Sequence, residues 1–288
     1  MKAILTFIAI AFGLSIALGL FIALTGGHNS PYIGLGFISM FIPAIAALIV
    51  RVTMNEGPQI NWKKFPLKYL PLTLLLIPVV MHAVMLPLTI VQEGSLPWQD
   101  WLSPQADGLY HTSAKRGWGI LTKTELIKHI VVNAVVGLIA VSFLALFEEI
   151  GWRAWLLPRL ENKMGARLAV VVTSLIWGLW HVPYQLSGIQ SVDTSFTLMT
   201  ALKMSIGISF TGLIIGWFWL RTKSIWIVAL AHGALNNWGQ YAFKYMSDFK
   251  VADEMTVLSG GSWGLLVVGI FLLWFCLPKG RERGLIQN

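Results

Sequence analysis

Charged residues are scarce in this chain: Lys, Arg, Asp and Glu together make up 12% of its 288 residues, against 56% hydrophobic residues and a mean hydropathy of +0.70. A water-soluble globule of this size needs more polar surface than that, so a soluble class is excluded and the solvent is lipid. Cysteine is nearly absent. The lone Cys276 excludes a disulfide framework and any multi-cysteine metal site. Internal repeats, low-complexity tracts and Gly/Ser linkers are missing too, and the simplest organisation is a single membrane domain over residues 1–288.

What is present is a series of apolar runs, near residues 3–25, 32–50, 67–91, 129–147, 166–186, 198–220, 225–243 and 262–277. Most are close to the roughly 20 residues that a helix needs to cross a bilayer core. None shows the period-two alternation of barrel strands, and a helix satisfies its backbone hydrogen bonds within itself. The expected fold is therefore all-α and polytopic, with about eight transmembrane helices around an intramembrane polar cavity.

The net charge of +8 does not mark a nucleic-acid surface, because the basic residues recur at the ends of alternate runs and form no single patch. By the positive-inside rule, Lys2, then Arg51, Lys63, Lys64 and Lys68, then Arg153, Arg159, Lys163 and Arg167, then Arg221 and Lys223, and finally Lys279, Arg281 and Arg283 are expected on the cytoplasmic side. The loops near 26–31 and 187–197 carry no Lys or Arg, in agreement. The long 92–128 loop disagrees, with Lys115, Arg116, Lys123 and Lys128 alongside Glu93, Asp100, Asp107 and Glu125. Residues 1–25 exceed the usual apolar length of a cleavable signal and read as a retained first helix. Many of the 14 tryptophans, including Trp98, Trp101 and Trp118, fall near run ends or in the long loop and read as interfacial anchors. Segment 153–165 reads as an amphipathic stretch along the cytoplasmic surface, ended by Gly165.

Acids and histidines inside apolar segments are costly to place, so each needs a partner or a purpose. Glu148, Glu149 and Arg153 close the fourth run, and the four-residue spacing from Glu149 to Arg153 favours an ion pair. Glu148 points about 100° away around the helix and is left without a counter-charge, which makes it a candidate general base. In the fifth run Trp177 and His181 are four apart, so the indole can pack beside the imidazole, and Pro183 frees the carbonyl of Leu179 as a nearby acceptor. In the seventh run His232 and Asn236 share a face at the same spacing, as two donors able to hold an oxyanion. Taken singly, each could be a helix end or a hydrogen bond between helices. Together they make a hydrolytic set. No Ser or Cys nucleophile with an obvious base partner accompanies it, so the attacking species is expected to be water.

EEIGWR, WGLWH and HGALN fit the patterns EExxxR, FxxxH with an aromatic exchange, and HxxxN, in that order. The chain thereby resembles the CPBP (CAAX protease and bacteriocin-processing, or Abi) family, and looks like a prokaryotic member related to the type II CAAX prenyl endopeptidases. The resemblance covers roughly residues 125–245 and departs at Trp177, where the family usually has Phe. It implies an intramembrane endopeptidase of a prokaryotic cytoplasmic membrane, acting on a membrane-associated or lipidated peptide, with no nucleic-acid partner. Glu148 would activate water, His181 would assist it, His232 and Asn236 would stabilise the oxyanion, and Glu149, Arg153 and Trp177 would support them. A metal-free site is expected. The alternative is a zinc site on Glu148, His181 and His232, although the HExxH signature is absent. Two further classes stay open: a proton-coupled transporter, whose Gly/Pro-broken repeats are not evident, and a non-catalytic immunity protein.

Overall fold

A computed structural model of the chain describes residues 1–94, 103–111, 119–187, 197–239 and 251–277, with the backbone alone at 92, 93 and 251–260. Trp98, Trp101, Trp118, Asp100, Lys115, Arg116 and the basic tail Lys279, Arg281 and Arg283 lie outside the described residues.

The protein is an all-α polytopic membrane protein. Its elements are α1 (Lys2–Leu24), a 3₁₀ stretch (Ile33–Phe41) running into α2 (Ile42–Met54), α3 (Leu70–Glu93), and a two-stranded antiparallel ribbon of β1 (Tyr110–His111) and β2 (Ile120–Leu121). Next comes one long helical rod from Lys123 to Met164, then α7 (Ala166–Trp180), α8 (Val182–Leu186), α9 (Leu198–Thr222), α10 (Ile225–Ala234) and α11 (Val251–Phe275). The rod contains α4 (Lys123–Val132), α5 (Leu138–Glu149) and α6 (Leu157–Met164), joined by π-helical turns at Asn133–Gly137 and Ile150–Leu156.

Six helices among the described residues are long and apolar enough to cross a membrane, where the runs suggest about eight. The remaining two runs are seen as α10 with its π turn Leu235–Gly239, and as the Gly261–Phe275 part of α11. The rod is the clearest departure from the runs. It begins six residues before the fourth run, because Thr122 and Glu125 form a capping box that satisfies the first free amides. It also continues past Glu149, because Arg153 is not at a surface but fully buried and paired. The expected surface stretch 153–165 is therefore corrected. Trp155, Leu156, Leu157 and Leu160 are buried, and only the last turns of α6 carry an outer polar side. Gly165, at φ 81°, ends the rod as expected, in a conformation that L side chains rarely adopt.

Tryptophan likewise departs from the anchor reading: Trp152, Trp155, Trp180, Trp217 and Trp219 are buried in the core, as is Trp177. Between lipid-borne helices, attraction depends on close packing, and small residues allow it. α7 and α9 meet along such a seam, where Gly178 lies against Ser205 and Ser209, and Gly212 against Ser174. α5 and α10 meet where Gly233 lies on Ser142, and the second π turn meets α2 where Gly151 lies on Pro43.

The segments assigned to one side by their basic residues do share one end of the bundle. Arg159 Nε donates to Glu56 Oε2 at 2.9 Å, Lys223 Nζ to Glu161 Oε2 at 2.8 Å, and Trp226 Nε1 to the Trp62 carbonyl at 2.8 Å. Arg167 reaches the Leu273 carbonyl at 2.9 Å, which ties the last helix to the same end.

Candidate active site

Three elements supply the side chains: α5 with the π turn that follows it, the C-terminal end of α7, and α10 with its own π turn. α5 brings Glu148 and Glu149 to its last turn. Both are buried, at 3% and 0% exposure, where an unpartnered carboxylate would be costly.

Glu149 meets that cost with charge. Arg153 Nη1 donates to its Oε1 at 2.9 Å, so the pair expected from the spacing forms although Arg153 lies in a π turn. His232 Nδ1 donates to the same oxygen, also at 2.9 Å. The close approach of Gly233 to Ser142 is what lets α10 carry His232 that near to α5.

Glu148 has no cation bonded to it, although the Arg153 guanidinium is close enough to act on it electrostatically. The indole Nε1 of Trp177 donates to its Oε2 at 2.8 Å. The bare carboxylate expected from the sequence is thus corrected, and Trp177 does more than pack beside His181. Its ring stands edge-on to His181 with centroids 5.3 Å apart and edge-on to His232 at 5.2 Å. The Arg153 guanidinium lies over its face, 4.6 Å from the ring centroid. Trp177 is the common neighbour of Glu148, Arg153, His181 and His232.

His181 is half-buried at the end of α7. Its backbone amide bonds to the Gly178 carbonyl at 3.1 Å, a tightened last turn, and the Trp177 carbonyl accepts from the ring Nδ1 at 2.8 Å instead. The acceptor near His181 is therefore Trp177 rather than Leu179. A carbonyl can only accept, so Nδ1 holds the proton and the neutral ring offers a lone pair at Nε2. His232 Nδ1 likewise carries a proton, which it donates to the Glu149 carboxylate.

Asn236 follows His232 in the wider π turn and is half-buried, while the next residue, Asn237, is buried against Gly137. The π turn starts at Leu235, one residue before Asn236, where the Leu235 amide still bonds the Ala231 carbonyl. As to metal, no three His, Cys, Asp or Glu side chains among the described residues are grouped to hold an ion. The indole between Glu148, His181 and His232 accounts for that arrangement.

Two features escaped the sequence reading. The Glu149 to His232 contact spans 83 residues and has no local signal. The Trp177 to Glu148 bond had one: tryptophan in an otherwise apolar motif position carries an N–H that usually finds an acceptor when buried.

Residues 130–238 match the family model described as type II CAAX prenyl endopeptidase Rce1-like. A stretch of 111 residues is 26% identical to CAAX prenyl protease 2 of Methanococcus maripaludis, over 38% of this chain and 41% of that protein. The match thus spans less than half the length of that relative. The motif residues all fall inside 130–238, so the stretch that carries them is the stretch that is similar to the Rce1-like type II CAAX prenyl endopeptidases.

Proposed function

We propose that the chain is an intramembrane endopeptidase that hydrolyses a peptide bond of a membrane-associated or lipidated peptide with water activated by Glu148. The single observation that carries this reading is the division of labour between adjacent carboxylates. Both partners of Glu149, one cationic and one protonated, sit on Oε1 while its unbonded Oε2 is sealed from solvent, whereas Glu148 has only a neutral donor, on Oε2, and its unbonded Oε1 is not among the fully buried atoms. A buried carboxylate in that state is suited to take a proton.

In the reaction, Glu148 Oε1 removes a proton from water while His181 Nε2 accepts a hydrogen bond from the same molecule. The oxygen attacks the carbonyl carbon, and the tetrahedral oxyanion is held by His232 and Asn236. Because His232 Nδ1 already donates to Glu149, a second donation from Nε2 requires the doubly protonated ring. The C–N bond then breaks as Glu148 passes its proton to the leaving amine.

No step is routed through zinc. The substrate class rests on the relative's name and on the membrane setting, and the test uses two quenched fluorescent peptides in proteoliposomes, one with a lipidated cysteine near its C-terminus and one without. Cleavage of either by the parent, lost in Glu148→Gln of equal thermal stability, is the expected result. Equal cleavage by Glu148→Gln would discard the reading.

A further inference from the structure

We infer that Trp177 is a positioning residue for Glu148, and that its indole N–H, absent from the Phe of the motif it departs from, fixes which carboxylate oxygen meets water. The inference rests on the hydrolytic reading above.

A buried indole N–H can be satisfied by any acceptor, and the choice made here is unusual within the molecule. Trp155, Trp180, Trp226 and Trp238 donate to the main-chain carbonyls of Glu56, Ala11, Trp62 and Ala134, which are neutral and fixed by the backbone. Trp152, Trp217 and Trp219 find no acceptor among the described residues. Trp177 alone among these bonds a carboxylate, at 2.8 Å.

The donor is also held still. Trp177 is 1% exposed, its face is covered by the Arg153 guanidinium, and its edges abut both imidazoles. Arg153 is itself tied to Glu149. The ionic pair on one side of the helix thus braces the indole, and the indole orients the carboxylate on the other. Occupation of Oε2 leaves Oε1 as the proton-accepting oxygen. The backbone of the same residue acts in parallel, since the Trp177 carbonyl sets the His181 ring with Nε2 outward. One residue aims both groups that would touch water.

A hydrogen bond to a charged acceptor that is lost only from the reacting arrangement corresponds to roughly tenfold to hundredfold in rate. Trp177→Phe removes the N–H and restores the residue of the motif. Replacement of Trp177 by the sulfur isostere benzothienylalanine removes the same N–H while keeping the bicyclic shape, which controls for the space that Phe leaves. Both would be assayed in proteoliposomes with the two peptides above, beside the parent and Glu148→Gln. The expected result is a kcat lowered about tenfold or more with KM unchanged and the melting temperature held in the isostere. An isostere with parental kcat, or one whose loss lies in KM, overturns the inference while an inactive Glu148→Gln leaves the hydrolytic reading standing. An active Glu148→Gln overturns both.

Discussion

Glu148 and Glu149 are chain neighbours in one helical turn, yet the two sides of the rod that they face are built on different principles. The Glu149 side is ionic: a carboxylate, a guanidinium and an imidazole share one oxygen in a setting with almost no solvent exposure. The Glu148 side is aromatic, with a neutral indole as donor and two imidazoles at its edges. Stabilising a buried charge and keeping one reactive are competing demands, and the separation assigns each to its own residue. The ionic side should therefore report on folding and the aromatic side on turnover.

The strongest way to break that contrast is Glu148→Gln, which should abolish cleavage, by at least about 10³-fold, while the melting temperature in detergent stays near that of the parent. A large fall in melting temperature would put Glu148 on the structural side. Arg153→Ala should do the reverse first: it strands Glu149 without its strongest partner, and breaking a buried pair from one side costs about 3–5 kcal/mol. The check is folded yield and thermal unfolding, and a well-folded Arg153→Ala would show that the ionic side contributes little. His232→Ala and Asn236→Ala test where the two sides meet. Each should lower kcat on the order of 10²–10³-fold, and the double variant should lose less than the product if both donors serve one oxyanion. Lys223→Ala removes a partly exposed bridge to Glu161 at the basic end and should cost at most about 1 kcal/mol. Smallest of all, a strong chelator should leave kcat unchanged. Lasting inactivation reversed only by zinc would replace the metal-free mechanism.

The helices were legible because apolar runs of membrane length leave little else for the backbone to do. Their ends were less so. The capping box at Thr122 and Glu125 is written in the sequence and places the rod's start at Lys123, but it sits in a polar stretch that hydropathy treats as loop. Hydropathy alone hides the rod's continuation beyond Glu149 for the opposite reason: Arg153 reads as a charged boundary, although its partner Glu149 lies only four residues away. The anchor reading does not extend to Trp152, Trp155, Trp180, Trp217 and Trp219, since a residue type suited to the headgroup region is equally suited to filling large gaps between helices. At the candidate site, the residue types and their order were visible in the motifs. Tautomers and donor choices were not, because those depend on which carbonyl or carboxylate the fold brings alongside.

The π turn Ile150–Leu156 holds one residue more than an α ladder needs, and Arg153 lies inside it. The spacer between the acidic pair and the arginine is thus counted along a widened stretch of backbone. Deleting a single position there would let the ladder close as a regular α-helix with the segments on either side still in phase, whereas the same deletion in the α-helical part of the rod would swing everything downstream by about 100°. Trp155, Leu156 and Leu157 would then keep facing the interior. In this stretch related chains are best compared by angular phase rather than by residue count.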